Sequence, residues 1–236
     1  MKHIRAYLTL LFTVTFVASP LFTSPFSGFS EDQLPIPQID PPIQPAGYAF
    51  SIWGLIYGWL LVSAIYGVWK RPGASAWNRV RLPLLISLAL GTPWLAVANA
   101  SPIWATVLIF AMAVPAIVAV LVAPKADRYW LRAPVSIYAG WLTAAAFVSL
   151  GSTMAGYGVL MGALGWAYVG IIAALGVAAF TQLRSGAPGY GLTLIWALFA
   201  IIIANGTDQL GVSLLAGAGI AVMTILTITT TGRPIS

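Results

Sequence analysis

The sequence AGYAFSIWGLIYGWLLVSAIYGVW, residues 46–69, contains no charged residue and ends directly before Lys70 and Arg71. A transmembrane helix needs roughly 20 mostly apolar residues, so this stretch is long enough to cross a bilayer. It is too long and too uniformly apolar for a strand of a membrane β-barrel, which alternates over about ten residues. The stretch therefore predicts a membrane-spanning helix with a basic end.

Similar apolar stretches follow one another along the whole chain. Hydrophobic residues make up 60% of it and charged residues 7%, whereas soluble domains average about 25% charged residues. We therefore predict an all-α integral membrane protein, an eight-span helical bundle in contact with the lipid bilayer. The predicted spans are residues 5–24, 46–69, 82–100, 103–123, 130–151, 157–180, 190–205 and 208–230.

The basic residues lie before the first predicted span and then in every second connection, so they all fall on one side of the membrane. Basic loops stay in the cytoplasm during insertion, so the pattern predicts that both termini are cytoplasmic in a bacterial inner membrane. The basic residues are spread over five patches, which argues against a nucleic-acid partner. All eleven Lys and Arg follow the pattern: Lys2, Arg5, Lys70, Arg71, Arg79, Arg81, Lys125, Arg128, Arg132, Arg184 and Arg233. Four of the five acids lie in the other connections: Glu31, Asp32, Asp40 and Asp208.

The N-terminus has two interpretations. Residues 2–18 have the basic and apolar regions of a signal peptide. A cleavage site of small residues is not evident near Ser19, and cleavage would leave seven spans. We favour a retained first helix over residues 1–24.

Residues 25–45 form the one long connection and contain five prolines between Pro35 and Pro45. Proline opposes helix and favours an extended backbone. This external loop is interpreted either as a stiff connector or as a lid over a cavity, because long ordered loops are often functional.

Catalytic chemistry is missing from the predicted spans. None has an ionisable residue in its interior, which argues against a proton-coupled transporter, pump or channel. Cysteine is absent, and no metal cluster or nucleophile–base pair can be assembled. We expect neither an enzyme nor a metal site.

Aromatic residues are numerous, and we divide them into two groups. Trp69, Trp77, Trp104 and Trp130 are predicted to lie at the membrane interfaces. The second group has helical spacing within spans two, three and five, and predicts an apolar pocket under the proline-rich loop for a large flat ligand. Its members are Trp53, Tyr57, Trp94, Tyr138 and Trp141.

Three motifs resemble a known family. Residues 45–57, PAGYAFSIWGLIY, continuing to YGVWK at 66–70, resemble the second helix of the tryptophan-rich sensory protein family (TspO/MBR, the translocator protein family). SLALGTPW at 87–94 and RAPVSIYAGW at 132–141 resemble its third and fifth helices. The resemblance covers residues 1–152.

The resemblance implies a five-helix membrane domain over residues 1–152 that binds tetrapyrroles or, in some members, sterols. It makes Trp53, Tyr57, Trp94, Tyr138 and Trp141 the ligand-binding residues and a porphyrin the candidate ligand, with no certain cofactor. The family commonly has Asn where this chain has Gly91 and Ser149. Residues 153–236 supply three additional transmembrane helices, which we expect to dock on the five-helix domain.

Two functions remain open. One is a sensory, regulatory or transport-related protein that binds a flat apolar small molecule. The other is a non-catalytic accessory subunit of a larger membrane complex, such as a pigment–protein complex, or a homodimer. A third function, a facilitative permease for an apolar solute, has less support.

Small residues allow close helix contacts either within the chain or with a partner. They are Gly54 and Gly58 in span two, and Gly158, Gly162, Gly170, Ala174 and Ala178 in span six.

Overall fold

A computed structural model describes residues 2–231, and its regular elements are helical throughout that range. Within it, eight helical segments are long and apolar enough to cross a membrane, which confirms the predicted all-α eight-span bundle. Short 3₁₀ turns at Ser19–Phe22 and Gly47–Ser51 flank the proline-rich loop, and a third at Glu31–Gln33 lies within it. The α-helices are α1 Lys2–Ala18, α2 Ile52–Lys70, α3 Ser75–Gly91, α4 Trp94–Ala100, α5 Pro102–Leu121, α6 Ala133–Gly156, α7 Ala163–Ser185, α8 Pro188–Asn205 and α9 Leu210–Thr230.

The third span is broken into two helices, although the sequence suggested one helix over residues 82–100. Pro93 has no backbone N–H and its ring opposes a continuous helix, so α3 ends at Gly91 and α4 begins at Trp94. The chain restarts because the Val97 N–H donates to the Pro93 carbonyl at 3.0 Å. The break places Trp94 at the first position of the new helix.

The third span also starts earlier than predicted, so that Arg81 lies inside α3 instead of in the connection before it. Arg81 is buried, and its guanidinium donates to the carbonyls of Gly67 and Arg71 at 2.8 and 2.9 Å. The last carbonyls of a helix have no partner within the helix. A cation beside them also interacts favourably with the negative end of the helix dipole. Arg81 therefore joins the end of α2 to α3.

We call the end of the bundle that contains Lys70–Ser75 the basic end, and the end covered by residues 23–46 the loop end. The chain alternates between them, so α6 and α8 reach the loop end at Gly156 and Asn205. At the basic end, Arg132 donates to the carbonyls of Ala123 and Ser185.

Helix α6 lies at the centre of the molecule. Two thirds of its span is buried (67%), more than in any other described span. It packs against α5, α7 and α8 and also contacts α2. Close approach is possible because Gly140 faces the Tyr190 carbonyl of α8, where a Cβ would come within 2.8 Å of that oxygen. Any space beside α6 is therefore enclosed by helices from both halves of the chain.

The small residues predicted to form a stripe on span six have different environments. Helix α7 begins at Ala163, so Gly158 and Gly162 precede it, and a Cβ on Gly162 would meet nothing within 4 Å. Ala174 and Ala178 are buried within the bundle. The part of the series that lies in α7 is used for packing inside the chain.

Candidate functional site

The proline-rich loop lies across the loop end and is hydrogen-bonded to the helices beneath it. The Ile36 N–H donates to the Gly156 carbonyl of α6 at 2.9 Å. The Asn205 amide of α8 donates to the Pro42 carbonyl at 2.9 Å. Since proline restricts the backbone between these points, the loop is a tethered strap.

Two side chains of the loop insert where glycines leave room. A Cβ built on Gly156 would lie 2.7 Å from Leu34 Cδ1, and one built on Gly151 would lie 2.7 Å from Ile43 Cδ1. A Cβ on Gly170 of α7 would also overlap Ile43 Cδ1. Ile43 therefore sits in a slot between α6 and α7 that only glycines allow.

A cavity lies beside Ile43. The space between its walls, including the open mouth, is about 880 Å³. A water-sized molecule has only about 70 Å³ in which to move. The cavity is therefore narrow. Its walls come from the loop and from α2, α4, α5, α6, α7 and α8. No Lys, Arg, His, Asp or Glu is among the described residues that line it.

Three of the five predicted site residues line this cavity: Trp53, Trp94 and Trp141. The Trp53 and Trp141 rings meet edge to face, with centroids 6.2 Å apart. Phe26 contacts Trp94 in the same way at 5.2 Å, and Phe50 contacts Trp141 at 5.7 Å. Helices far apart in sequence and the loop thus supply an aromatic wall in two parts, Trp53 with Trp141 and Phe50, and Trp94 with Phe26.

The other two predicted residues, Tyr57 and Tyr138, are not among the lining residues and lie behind the wall. Tyr57 stacks on Trp53 with centroids 5.2 Å apart. Both tyrosine rings are perpendicular to the Phe16 ring of α1, with centroids 5.3 and 5.7 Å from it. The Tyr138 hydroxyl is hydrogen-bonded to Ser87 at 2.8 Å. They support the wall instead of forming it.

Gly91 and Ser149, where the resemblance implied Asn, have different surroundings, and Phe16 accounts for the first. A Cβ on Gly91 would lie 2.7 Å from the Phe16 ring, so that ring occupies the place of a side chain. At the second position, the Ser149 hydroxyl bonds to Thr106 of α5 at 2.7 Å. Sequence reasoning missed Phe16, since an isolated Phe in an apolar helix carries no distinguishing signal.

Two buried polar groups of the lining residues have no hydrogen-bond partner: the Trp141 indole N–H and the Ser152 hydroxyl. The Trp94 indole in the same wall differs, because it donates to the Ala105 carbonyl at 3.0 Å. Most buried polar side-chain atoms in proteins have a partner. These two groups thus leave hydrogen-bonding capacity unused in residues that line the cavity.

A separate polar cluster lies at the basic end. Asp127 accepts from Arg71 Nε at 2.9 Å and from Trp77 Nε1 at 3.0 Å. The hydrogen bond from Arg71, and to a smaller extent the one from Trp77, lower the pKa of Asp127.

Trp77 was expected at the membrane interface, but it is 3% exposed and is buried inside the bundle. Trp69, in contrast, is 73% exposed. Residues 2–231 contain no group of three or more His, Asp or Glu that could hold a metal ion.

The comparisons with known proteins agree with the motifs. A family model described as TSPO-like protein matches residues 5–229, so it includes the last three spans as well as the region in which we noted the resemblance. No curated protein and no solved structure matches the chain significantly. The family match covers nearly the whole chain, and the chain therefore belongs to the TSPO-like protein family.

Proposed function

We propose that the chain binds a flat, apolar molecule, tetrapyrrole or steroid-like, in the cavity beneath the proline-rich loop. The observation that carries the proposal is the wall formed by Trp53, Trp94 and Trp141 around a narrow uncharged space. Ligand sites are mostly apolar and aromatic with a few polar groups, as here. The TSPO-like family membership supports the same proposal.

The role we propose is binding without catalysis. General acid–base catalysis needs a titratable group near the substrate, and nucleophilic catalysis needs an activated nucleophile. The described lining offers hydroxyl, indole and amide groups, and its Ser149 hydroxyl is engaged with Thr106. Such groups can orient a ligand but cannot activate it.

Binding is coupled to the loop in this proposal. Ile43 lines the cavity and fills the slot at Gly151 and Gly170. Because the cavity is narrow, a ligand as wide as a porphyrin must displace Ile43 to enter fully. Displacement of Ile43 would weaken the attachment of the loop to the helices. The loop conformation would then depend on the ligand, as a sensory or transport-related protein requires.

The proposal is tested by titrating the purified protein in mild detergent with protoporphyrin IX dimethyl ester, an uncharged tetrapyrrole, and following its Soret absorbance. One aromatic contact contributes about 0.5–1.5 kcal/mol beyond area burial, so Trp53→Ala and Trp94→Ala should each weaken binding several-fold. Trp69→Ala, at an exposed position at the basic end, is the matched control and should leave binding unchanged. Equal affinities in all three variants would contradict the proposed site.

We also propose that the basic end faces the cytoplasm of a bacterial inner membrane. The support is the charge pattern, because loops rich in Lys and Arg are retained in the cytoplasm. The loop end, with Glu31, Asp32 and Asp40, then opens outside the membrane.

A second candidate is an accessory role with a partner chain, favoured by one face of α2. A Cβ on Gly54 or Gly58 would meet nothing within 4 Å, and both glycines are exposed on the outside of the bundle. Two small residues four apart permit close packing of helices in lipid. Replacing both by Leu should lower the mass of the detergent-solubilised complex, or release proteins that copurify. An unchanged complex would remove this candidate.

A further inference from the structure

At the basic end, the last residues of α2 meet the residues that lead into α6. Arg71 Nε donates to the Asp127 carboxylate at 2.9 Å, and this ion pair joins the two segments. The Tyr66 and Trp130 rings stack across the same contact, with centroids 4.5 Å apart and planes 6° from parallel. The segments therefore form one continuous surface, which we call the α2–α6 patch. It consists of residues 66–71 and 127–130.

The ion pair brings two further cations together. Lys70 precedes Arg71 and Arg128 follows Asp127, so both lie beside the joined segments. Lys70 and Arg128 are exposed, and neither forms an ion pair with a described carboxylate. The patch therefore has three cations and one anion. The other four acids of the chain lie at the loop end: Glu31, Asp32, Asp40 and Asp208.

Both cations lie against exposed aromatic rings. The Lys70 ammonium is 3.8 Å from the centre of the Trp69 ring, and the Arg128 guanidinium carbon is 4.5 Å from the centre of the Tyr129 ring. The two rings are exposed on the outside of the bundle. Exposed Trp and Tyr of membrane proteins gather at the level of the lipid headgroups. The aromatic rings therefore place both positive charges at that level.

An apolar strip of α2 leads from these charges toward the middle of the membrane. Val62, Ile65 and Trp69 are exposed and follow one another at steps of three and four residues, so they share one helical face. The helix rises about 12 Å from Val62 to Lys70 at 1.5 Å per residue. This is most of the depth of one leaflet, which is about half of a 30 Å hydrocarbon core. The strip is thus long enough for lipid acyl chains.

We propose that the α2–α6 patch binds an anionic phospholipid of the phosphatidylglycerol type from the leaflet at the basic end. The Arg128 guanidinium can donate two parallel hydrogen bonds to phosphate oxygens, and the Lys70 ammonium supplies a second positive charge. The acyl chains lie along the apolar strip of α2. A phosphatidylcholine binds more weakly, because its own cationic group lies close to the two protein cations.

The test measures how dioleoyl phosphatidylglycerol and dioleoyl phosphatidylcholine bind to the full-length protein in mild detergent, by native mass spectrometry. The wild type should bind the first lipid more tightly. Lys70→Gln and Arg128→Gln should each weaken phosphatidylglycerol binding about 5-fold, which corresponds to about 1 kcal/mol per basic residue near a membrane surface. Both variants should bind phosphatidylcholine as the wild type does.

Arg79→Gln and Arg184→Gln are the matched controls, since both residues are exposed at the basic end but lie outside the patch. They should leave the affinity for both lipids unchanged. All four variants should melt close to the wild type without added lipid, because exposed side chains contribute little to stability. Glycerol 1-phosphate, which has the phosphate without acyl chains, should not bind at the concentrations at which phosphatidylglycerol does.

Three results would overturn the proposal. Equal binding of the two lipids by the wild type would show that the patch does not recognise headgroup charge, and would leave it to an acidic partner protein. Equal losses in the patch and control variants would show that phosphatidylglycerol responds to the overall charge of the basic end. Glycerol 1-phosphate binding as tightly as the lipid would indicate a site for soluble phosphates instead.

Discussion

Ile43 shows how single residues shape this cavity. Its side chain fills a space that exists only because residues 151 and 170 are glycines on two neighbouring helices. Small residues at such positions let backbones and side chains approach closely where the hydrophobic effect does not drive helices together. The same side chain lines the cavity, so one residue both holds the loop and narrows the site.

We predict that Gly170→Ala destabilises the protein by about 1–3 kcal/mol, because the new methyl group overlaps Ile43 and overpacking costs that much. Gly176→Ala, in the same helix but with nothing within 4 Å of the new methyl, is the matched control and should be neutral or slightly stabilising. Thermal unfolding in detergent measures both. Ile43→Ala is itself destabilising, since Ile43 is buried, but in that background Gly170→Ala should cost much less than in the wild type. An unchanged cost would show that Ile43 is not the obstacle.

Individual site residues could be predicted from sequence only where a motif marks them. Trp53, Trp94 and Trp141 stand in motifs with helical spacing, and the structure brings them together. Phe16, Phe26 and Phe50 were not predicted, because contacts between α1, the loop and α6 depend on packing that no local pattern encodes. The unpaired state of Trp141 is likewise visible only once its surroundings are known.

At the scale of elements, Asp127 joins two connections at the basic end. It lies between α5 and α6, and Arg71 lies between α2 and α3. Trp77 of α3 donates to the same carboxylate. Charge-assisted hydrogen bonds of this kind are stronger than neutral ones, so the contact fixes where α6 enters the bundle.

The contact makes stability depend on pH in one direction. An unperturbed Asp has a pKa of about 3.9, and Arg71 and Trp77 lower the pKa of folded Asp127 below it. Its stabilising contribution is therefore complete above about pH 4 and is lost as the pH falls through the folded pKa. Melting temperatures measured from pH 7 to pH 2 should converge for wild type and Asp127→Asn at the acid end. A constant difference across that range would contradict the assignment.

Helices were easier to predict than their ends. The apolar stretches indicate where spans lie, but the start of α3 at Ser75 depends on Arg81 being buried against carbonyls of α2 and its loop. A charged residue in a hydropathy pattern indicates a loop. The Arg81 guanidinium is nevertheless stable inside the bundle, because it donates to three carbonyls. The break at Pro93 could have been predicted from proline chemistry.

At the scale of the whole molecule, the charge pattern predicts one orientation. We expect a cytoplasm-specific reporter to be active when it is fused after residue 236 and inactive when it is inserted within residues 30–40. The reason is that Lys and Arg cluster at the basic end while Glu31, Asp32 and Asp40 lie in the loop. An active reporter in the loop would reverse the orientation and place the cavity mouth in the cytoplasm.

The cavity is formed by helices from the whole molecule and not by the first five spans alone. Helices α7 and α8 supply Ile171, Ala174, Leu194 and Leu198 to the cavity wall. The family model likewise extends to residue 229. The motifs in residues 1–152 could not reveal this, because the contribution of the last helices is apolar and carries no motif of its own.

The central claim is that a flat ligand occupies the cavity bounded by Trp53, Trp94 and Trp141. The most direct measurement is an experimental structure of the protein with bound protoporphyrin IX dimethyl ester. The ring system should lie against these three tryptophans beneath the loop, with Ile43 displaced from the slot at Gly151 and Gly170. A porphyrin on the lipid-facing surface, with Ile43 still in the slot, would contradict the account.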